Sequence, residues 1–148
     1  MLSRRQFSFA AWAVLLLGPL SRAHPQQLPL MTVYKNSACG CCGEWVKHIR
    51  TNGFRVETRE IADVAPLRRR YGVPDHLASC HTAIIGGYAI EGHVPAADIQ
   101  RLLREQPRVR GLAVPGMVVG SPGMEQGPPQ RYATLAFNDR GSRVFMRH

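Results

Sequence analysis

The chain has 148 residues, 45% of them hydrophobic and 20% charged, with a formal net charge of +9. That length suits one domain, and the balance is ordinary globular usage, which excludes a disordered or collagen-like chain. The only long apolar run lies at the extreme N-terminus, so no internal segment reads as a membrane span.

Residues 1–23 read as an export signal. Ser3-Arg4-Arg5-Gln6-Phe7 is a twin-arginine pattern, Phe9 to Leu17 is the apolar stretch, and Ser21-Arg22-Ala23 is a small-x-small cleavage site. Cleavage there sends the mature chain to the periplasm with no stable membrane span. It removes Arg4, Arg5 and Arg22 and no acid, so the mature chain stays basic. Its arginines are scattered, apart from Arg68-Arg69-Arg70, and are not interleaved with aromatics. Nucleic-acid binding is therefore not expected, and the arginine triplet reads as a solvated helix face.

Residues 24–29 are a Pro- and Gln-rich flexible leader, and 30–148 form the domain. Leu30 to Tyr34 is a strand. Cys42, Trp45, Val46 and Ile49 recur at the spacing of an amphipathic helix, which Gly53 stops. Phe54 to Ile61 alternates as a strand does. Asp63 caps a second helix carrying Val64, Leu67 and Tyr71, ended by Gly72. Residues 73–81 are irregular, with one helical turn begun by Pro74. Thr82 to Ile85 and Tyr88 to Ile90 are strands joined by a Gly86-Gly87 hairpin turn. Pro95 opens a third helix with Ile99, Leu102 and Leu103 on one side, and Pro107 ends it. Residues 111–130 read as a Gly/Pro-rich loop without periodicity. Arg131 to Phe137 and Ser142 to Met146 form a closing hairpin. The order β-α-β-α-β-β-α, with a parallel first pair, is that of an α/β, thioredoxin-like mixed sheet.

Cys39-Gly40-Cys41-Cys42 stands where the first strand passes into the first helix. A helix N-terminus carries partial positive charge and unpaired amides, which favour thiolates. Three readings of the cluster stand side by side. It holds a structural disulfide, from Cys39 to Cys42 or from the cluster to Cys80. It exchanges disulfides through the C-x-x-C pair Cys39 and Cys42, although Cys41 invites scrambling. Or it binds metal. Cys41 and Cys42 project about 100° apart on a helix, which suits sulfurs that bridge several ions better than a single tetrahedral zinc. Soft thiolates select Cu(I), zinc or iron–sulfur, and the compact C-x-C-C group lacks the spaced pairs of a structural zinc site.

Cys80-His81 precedes the third strand, which such a fold sets beside the N-terminus of the first helix. The fourth cysteine then meets the other three, with His81 at the rim. Met117 and Met124 recur in two Pro-Gly-Met turns; each is either core packing or a soft thioether ligand. His93, in Glu91-Gly92-His93, is a weaker candidate at the same rim.

Cys39-Gly40-Cys41-Cys42, Ser79-Cys80-His81-Thr82, Gly87 to Pro95, Gly111 to Met117 and Gly120 to Glu125 together resemble the CopG-like periplasmic copper-resistance proteins, formerly a domain of unknown function. The likeness spans residues from about 30 to 126. It implies a thioredoxin-like fold and a copper cluster bridged by four cysteines, which correspond here to Cys39, Cys41, Cys42 and Cys80. It further implies redox chemistry of copper in the envelope. The expectation is a multinuclear Cu(I) site with His81, His93, Met117 and Met124 around it. It serves copper resistance by sequestration, transfer or redox conversion, with a periplasmic copper-handling or redox protein as partner. The competing expectation is an envelope thiol-disulfide oxidoreductase using Cys39 and Cys42.

Overall fold

The structure is a computed structural model and describes residues 27–148. The export signal over 1–23 and the first three leader residues lie outside the described residues. Strand β1 (Met31–Lys35) buries Met31 and Val33, and helix α1 (Gly40–Thr51) buries the predicted stripe of Cys42, Trp45, Val46 and Ile49. Strand β2 (Val56–Glu60) pairs parallel to β1. Among the described residues it is an edge strand, and it is mostly exposed, as its charged sequence demands. Helix α2 (Ala65–Tyr71) begins where the Asp63 carboxylate accepts the Ala65 N–H at 2.9 Å, and Gly72 ends it. A 3-10 turn, Asp75–Leu77, follows Pro74.

Strand β3 (His81–Ile85) lies antiparallel to β1, and the Gly86-Gly87 turn returns the chain as β4 (Tyr88–Gly92). Helix α3 (Ala96–Glu105) starts after Pro95 and buries Ile99 and Leu102. The strand order β2-β1-β3-β4 and the three helices give the expected thioredoxin-like arrangement. Strands β5 (Gly111–Val114), β6 (Ala133–Asn138) and β7 (Gly141–Arg147) then extend the sheet to seven strands beyond β4. The closing hairpin is β6-β7, joined where Asn138 faces Gly141.

Strand β5 corrects the sequence reading, which left residues 111–114 in the loop. It runs parallel to β4 and antiparallel to β6, with all four residues buried. A short strand buried on both faces shows no alternation, so periodicity is blind to it. Gly111 is required there, because a Cβ would fall 1.8 Å from the Ala89 carbonyl oxygen.

The larger core packs α1 and α3 on one sheet face, around Trp45, Ile49, Ile99 and Leu112. A smaller core on the other face gathers Val73, Leu77, Ala113 and Phe137, with Tyr71 of α2 against it. The register Lys35↔His81 sets the start of β3 beside the end of β1. There the chain turns into α1, so the cysteine segments meet as the topology requires.

Candidate metal centre

The turn before α1 is built by Asn36. Its side-chain oxygen accepts the Ala38 N–H at 2.9 Å, and its carbonyl accepts the Cys39 N–H at 3.1 Å. Cys39 thus becomes the N-cap residue, in extended conformation, and Cys41 and Cys42 lie in the first turn. No acidic side chain occupies that turn, so the positive end of the helix faces the sulfurs uncompensated.

The four sulfurs lie within 4.8 Å of one another. Cys39 Sγ is 3.6 Å from Cys41 Sγ, and Cys41 Sγ is 3.9 Å from Cys80 Sγ. Cys39 and Cys42 form a disulfide, with Cα atoms 5.4 Å apart, and Cys41 and Cys80 are free. This is the pair the exchange reading uses and the first of the two pairings the structural reading offers; the other, from the cluster to Cys80, is not formed. Burial pushes the Cys80 thiol up to about 12, with the nearby Cys41 adding to it, so at neutral pH the metal-free residue keeps its proton.

A second donor set shares Cys80. Its sulfur is 3.3 Å from His81 Nδ1 and 3.1 Å from His93 Nε2. His93 Nδ1 lies 2.8 Å from the Pro122 carbonyl oxygen, which can only accept. That nitrogen therefore carries the proton, and the Nε2 lone pair faces the sulfur. Burial lowers the His93 pKa. Burial, followed by the neighbouring His93, lowers that of His81 to about 3. Both rings are neutral and able to ligate. His81 Nε2 is a buried atom with no hydrogen-bond partner among the described residues. A buried polar atom left unpaired costs about 1–3 kcal/mol, so this pocket is not arranged for hydrogen bonding alone.

The sequence reading placed His81 and His93 at a rim. Both are fully buried. The His81 ring packs on Trp45 at 4.4 Å between centroids and meets His93 edge-on at 5.1 Å. Trp45 is fixed in turn by its Nε1–H, donated to the Val94 carbonyl at 2.9 Å.

Two residues that sequence reasoning missed hold the Cys80 segment. The buried Glu91 carboxylate accepts the Ser79 N–H at 2.7 Å and the Thr82 hydroxyl at 2.6 Å. Arg68 lies 3.7 Å from the same carboxylate and donates to the Ser79 carbonyl at 3.4 Å. Burial raises the Glu91 pKa against the pull of these partners. Arg68 therefore leaves the solvated face assigned to the triplet, while Arg69 and Arg70 remain exposed. The available signal was a lone carboxylate inside the apolar run of β4.

The segment 115–125 straps the site. Gly116 N–H donates to the Ala78 carbonyl at 3.2 Å, and the Ser79 hydroxyl donates to the Gly116 carbonyl. Pro122 receives His93, as above. Gly123 has a φ of +84° and sits so close to α1 that a Cβ would lie 2.7 Å from Trp45 N and 2.9 Å from the Cys41 carbonyl oxygen. Met117 on this strap is 58% exposed, and Met124 is half-buried.

The profile of a family described as "Protein of unknown function, DUF411" matches residues 77–124, the stretch with Cys80, His81, His93 and the strap. Two solved structures, described as "Copper resistance protein copG- Form 2" and "Copper resistance protein copG- Form 1", are each 43% identical to this chain. Each match covers 82% of this chain and 98% of the solved chain, with a TM-score of 0.77. No curated protein matches this chain.

Proposed function

This chain belongs to the CopG-like copper-resistance family, and from that premise we propose that it is an exported, periplasmic protein that holds Cu(I) on cysteine thiolates. The observation that carries the reading is the convergence of four cysteine sulfurs within 4.8 Å. Thiolates are soft ligands that select Cu(I), and sulfurs this close can bridge several ions. Cys39, Cys41, Cys42 and Cys80 are the bridging donors once the Cys39–Cys42 bond is reduced. His81 and His93 add neutral imidazoles from below. Met117 and Met124 supply weak, exchangeable thioethers from the strap. The role is copper resistance by sequestration, transfer to a periplasmic copper-handling or redox protein, or change of oxidation state.

The test is metal analysis and X-ray absorption on anaerobically purified, reduced protein from copper-supplemented cells. Copper–sulfur scattering is expected. A shell dominated by nitrogen and oxygen, or equal retention of zinc after competition, overturns the reading.

One observation favours a second reading, an envelope thiol-disulfide oxidoreductase: a Cys39–Cys42 disulfide at a helix N-terminus. Such an enzyme keeps its activity with Cys39 and Cys42 alone. The free Cys41, and Cys80 between two imidazoles, have no part in it.

A further inference from the structure

We propose, on the copper reading above, that His48 is a positioning residue that makes the His93 side of the site sensitive to acid: as a neutral imidazole it holds the start of α3, and with it the turn that carries His93, against α1, and on protonation it lets go. The turn from β4 into α3 is short of backbone ties. The Val94 N–H goes to the Gly92 carbonyl at 2.9 Å. Pro95 has no N–H to give. As N-cap of α3, Pro95 also offers no side-chain acceptor to the amides that a helix start leaves unpaired. One of these, the Ala96 N–H, is donated instead to His48 Nε2 of α1, at 3.1 Å. Trp45, three residues earlier on the same face of α1, donates its Nε1–H to the Val94 carbonyl at 2.9 Å. The His93 turn is thus fastened to α1 at two points, and of the two only His48 titrates.

The hydrogen bond requires one protonation state. An imidazole nitrogen that accepts an N–H carries no proton. Adding one turns the acceptor into a donor and sets a positive charge at the positive end of α3. Both changes push the ring away from Ala96. The ring is half-buried, and burial lowers its pKa against the pull of Glu125, so it is neutral at neutral pH and takes a proton only on acidification. A cavity of about 220 Å³ between α1 and the strap, lined by His48, Glu44, Lys47, Gly123 and Glu125, gives the proton its path. The charged groups facing the ring are Glu44 and Lys47 of its own helix and Glu125 of the strap. From α3, Gln100 is neutral and donates to the Asn52 carbonyl, while Asp98 is turned to Thr134 and His148. With its folded pKa below the ordinary 6.5, His48 contributes stability that is present above about pH 6.5 and is lost as pH falls below it. Acid therefore loosens the seat of His93, whose Nε2 lies 3.1 Å from Cys80 Sγ.

The test uses reduced, Cu(I)-loaded mature protein under anaerobic conditions. Copper transfer to bathocuproine disulfonate is followed from about pH 7.5 to about pH 5.5, a span that brackets ordinary histidine titration. Glutamine in His48→Gln keeps an acceptor near the place of Nε2 and does not titrate. Wild type should match this variant at the neutral end and transfer copper about fivefold faster than it at the acid end, the factor that one hydrogen bond contributes. His48→Leu keeps bulk without an acceptor, so it should be fast at both ends. Circular dichroism checks that both variants fold. His93 titrates in all three proteins, so its share cancels. Acceleration by acid in His48→Gln equal to that of wild type overturns the proposal, as does wild-type slowness of His48→Leu at neutral pH. A second measurement needs no metal. In reduced, metal-free protein the Ala96 amide resonance should titrate together with the His48 ring in two-dimensional NMR, and should lose that step in His48→Gln. An Ala96 resonance that ignores the His48 titration overturns the proposal whether or not copper binds. If the resonance follows His48 and Cu(I) does not bind, it is the copper reading that fails, and the acid-sensitive seat of His93 stands.

Discussion

Cys80 is the residue on which both donor sets converge, and it should be the least replaceable. Cys80→Ser removes a sulfur from the cysteine set and the partner of both imidazoles. Copper content should fall about as far as in Cys42→Ser, measured by elemental analysis of the folded variants. Retained copper in Cys80→Ser would place the ligands elsewhere. His81 makes a different prediction, on stability. Its pKa falls from 6.5 to about 3 in the folded chain. A histidine with a depressed folded pKa contributes stability that is present above about pH 6.5 and is lost as pH falls toward 3. At about 1.36 kcal/mol per unit, metal-free protein should lose roughly 4 kcal/mol across that window, read by urea denaturation. His81→Gln should flatten that part of the profile, leaving the shares of His93 and His48, whose pKa values burial also lowers, and of the carboxylates. An identical slope in wild type and variant would show that His81 does not carry it. The sequence names both residues, because Cys and His announce their chemistry by type. Their depth was not legible: burial of His81 follows from Trp45 and His93, which are 36 and 12 residues away in the chain.

The elements bring these residues together unequally. Strands β1 and β3 and helix α1 were legible, since turn residues and a regular apolar stripe mark them. Strand β5 and the strap were not, because Gly and Pro report only that a helix is absent. Yet the strap is ordered by contacts that sequence cannot display, above all Gly123 against the backbone of α1. Gly123→Ala forces a Cβ onto Trp45 N and the Cys41 carbonyl at a positive φ, and such strain costs about 1–3 kcal/mol. Thermal or chemical denaturation should register that loss, and copper exchange with a competing chelator should quicken as the strap lifts. Unchanged exchange in a destabilised variant would make the strap purely structural. Met117→Leu with Met124→Leu keeps volume while deleting both sulfurs, so stability should change by less than about 1.5 kcal/mol. Copper stoichiometry should hold while the rate of loading or release shifts. A large loss of stability would assign the methionines to packing.

At the scale of the molecule, the clustered cysteine and histidine side chains come from three places: the head of α1, the start of β3 and the residue after β4. The sheet order that joins them was legible because β-α-β-α-β-β-α admits few arrangements. The anchoring of the site across the sheet was not. Arg68 of α2 belongs to the face opposite α1, yet it reaches Glu91 and Ser79, tying one core layer to the donor segment packed under the other. An arginine in a basic triplet gives no sign of that partner. Copper should therefore stabilise the whole domain, since releasing any one donor segment disturbs both layers. A ligand held by the native state alone adds about 4 kcal/mol when its free concentration is a thousandfold above Kd. Anaerobic calorimetry of reduced protein, with and without Cu(I), should show one transition moved upward. Binding of Cu(I) to unfolded cysteines will trim the gain. Glu91→Gln keeps an oxygen for Ser79 or Thr82 but removes the charge facing Arg68. It should lower both transitions and narrow the gap between them, because the Cys80 segment is then less firmly held. If the gap keeps its full width in Glu91→Gln, the Arg68–Glu91 pair supports the fold without reaching the metal site.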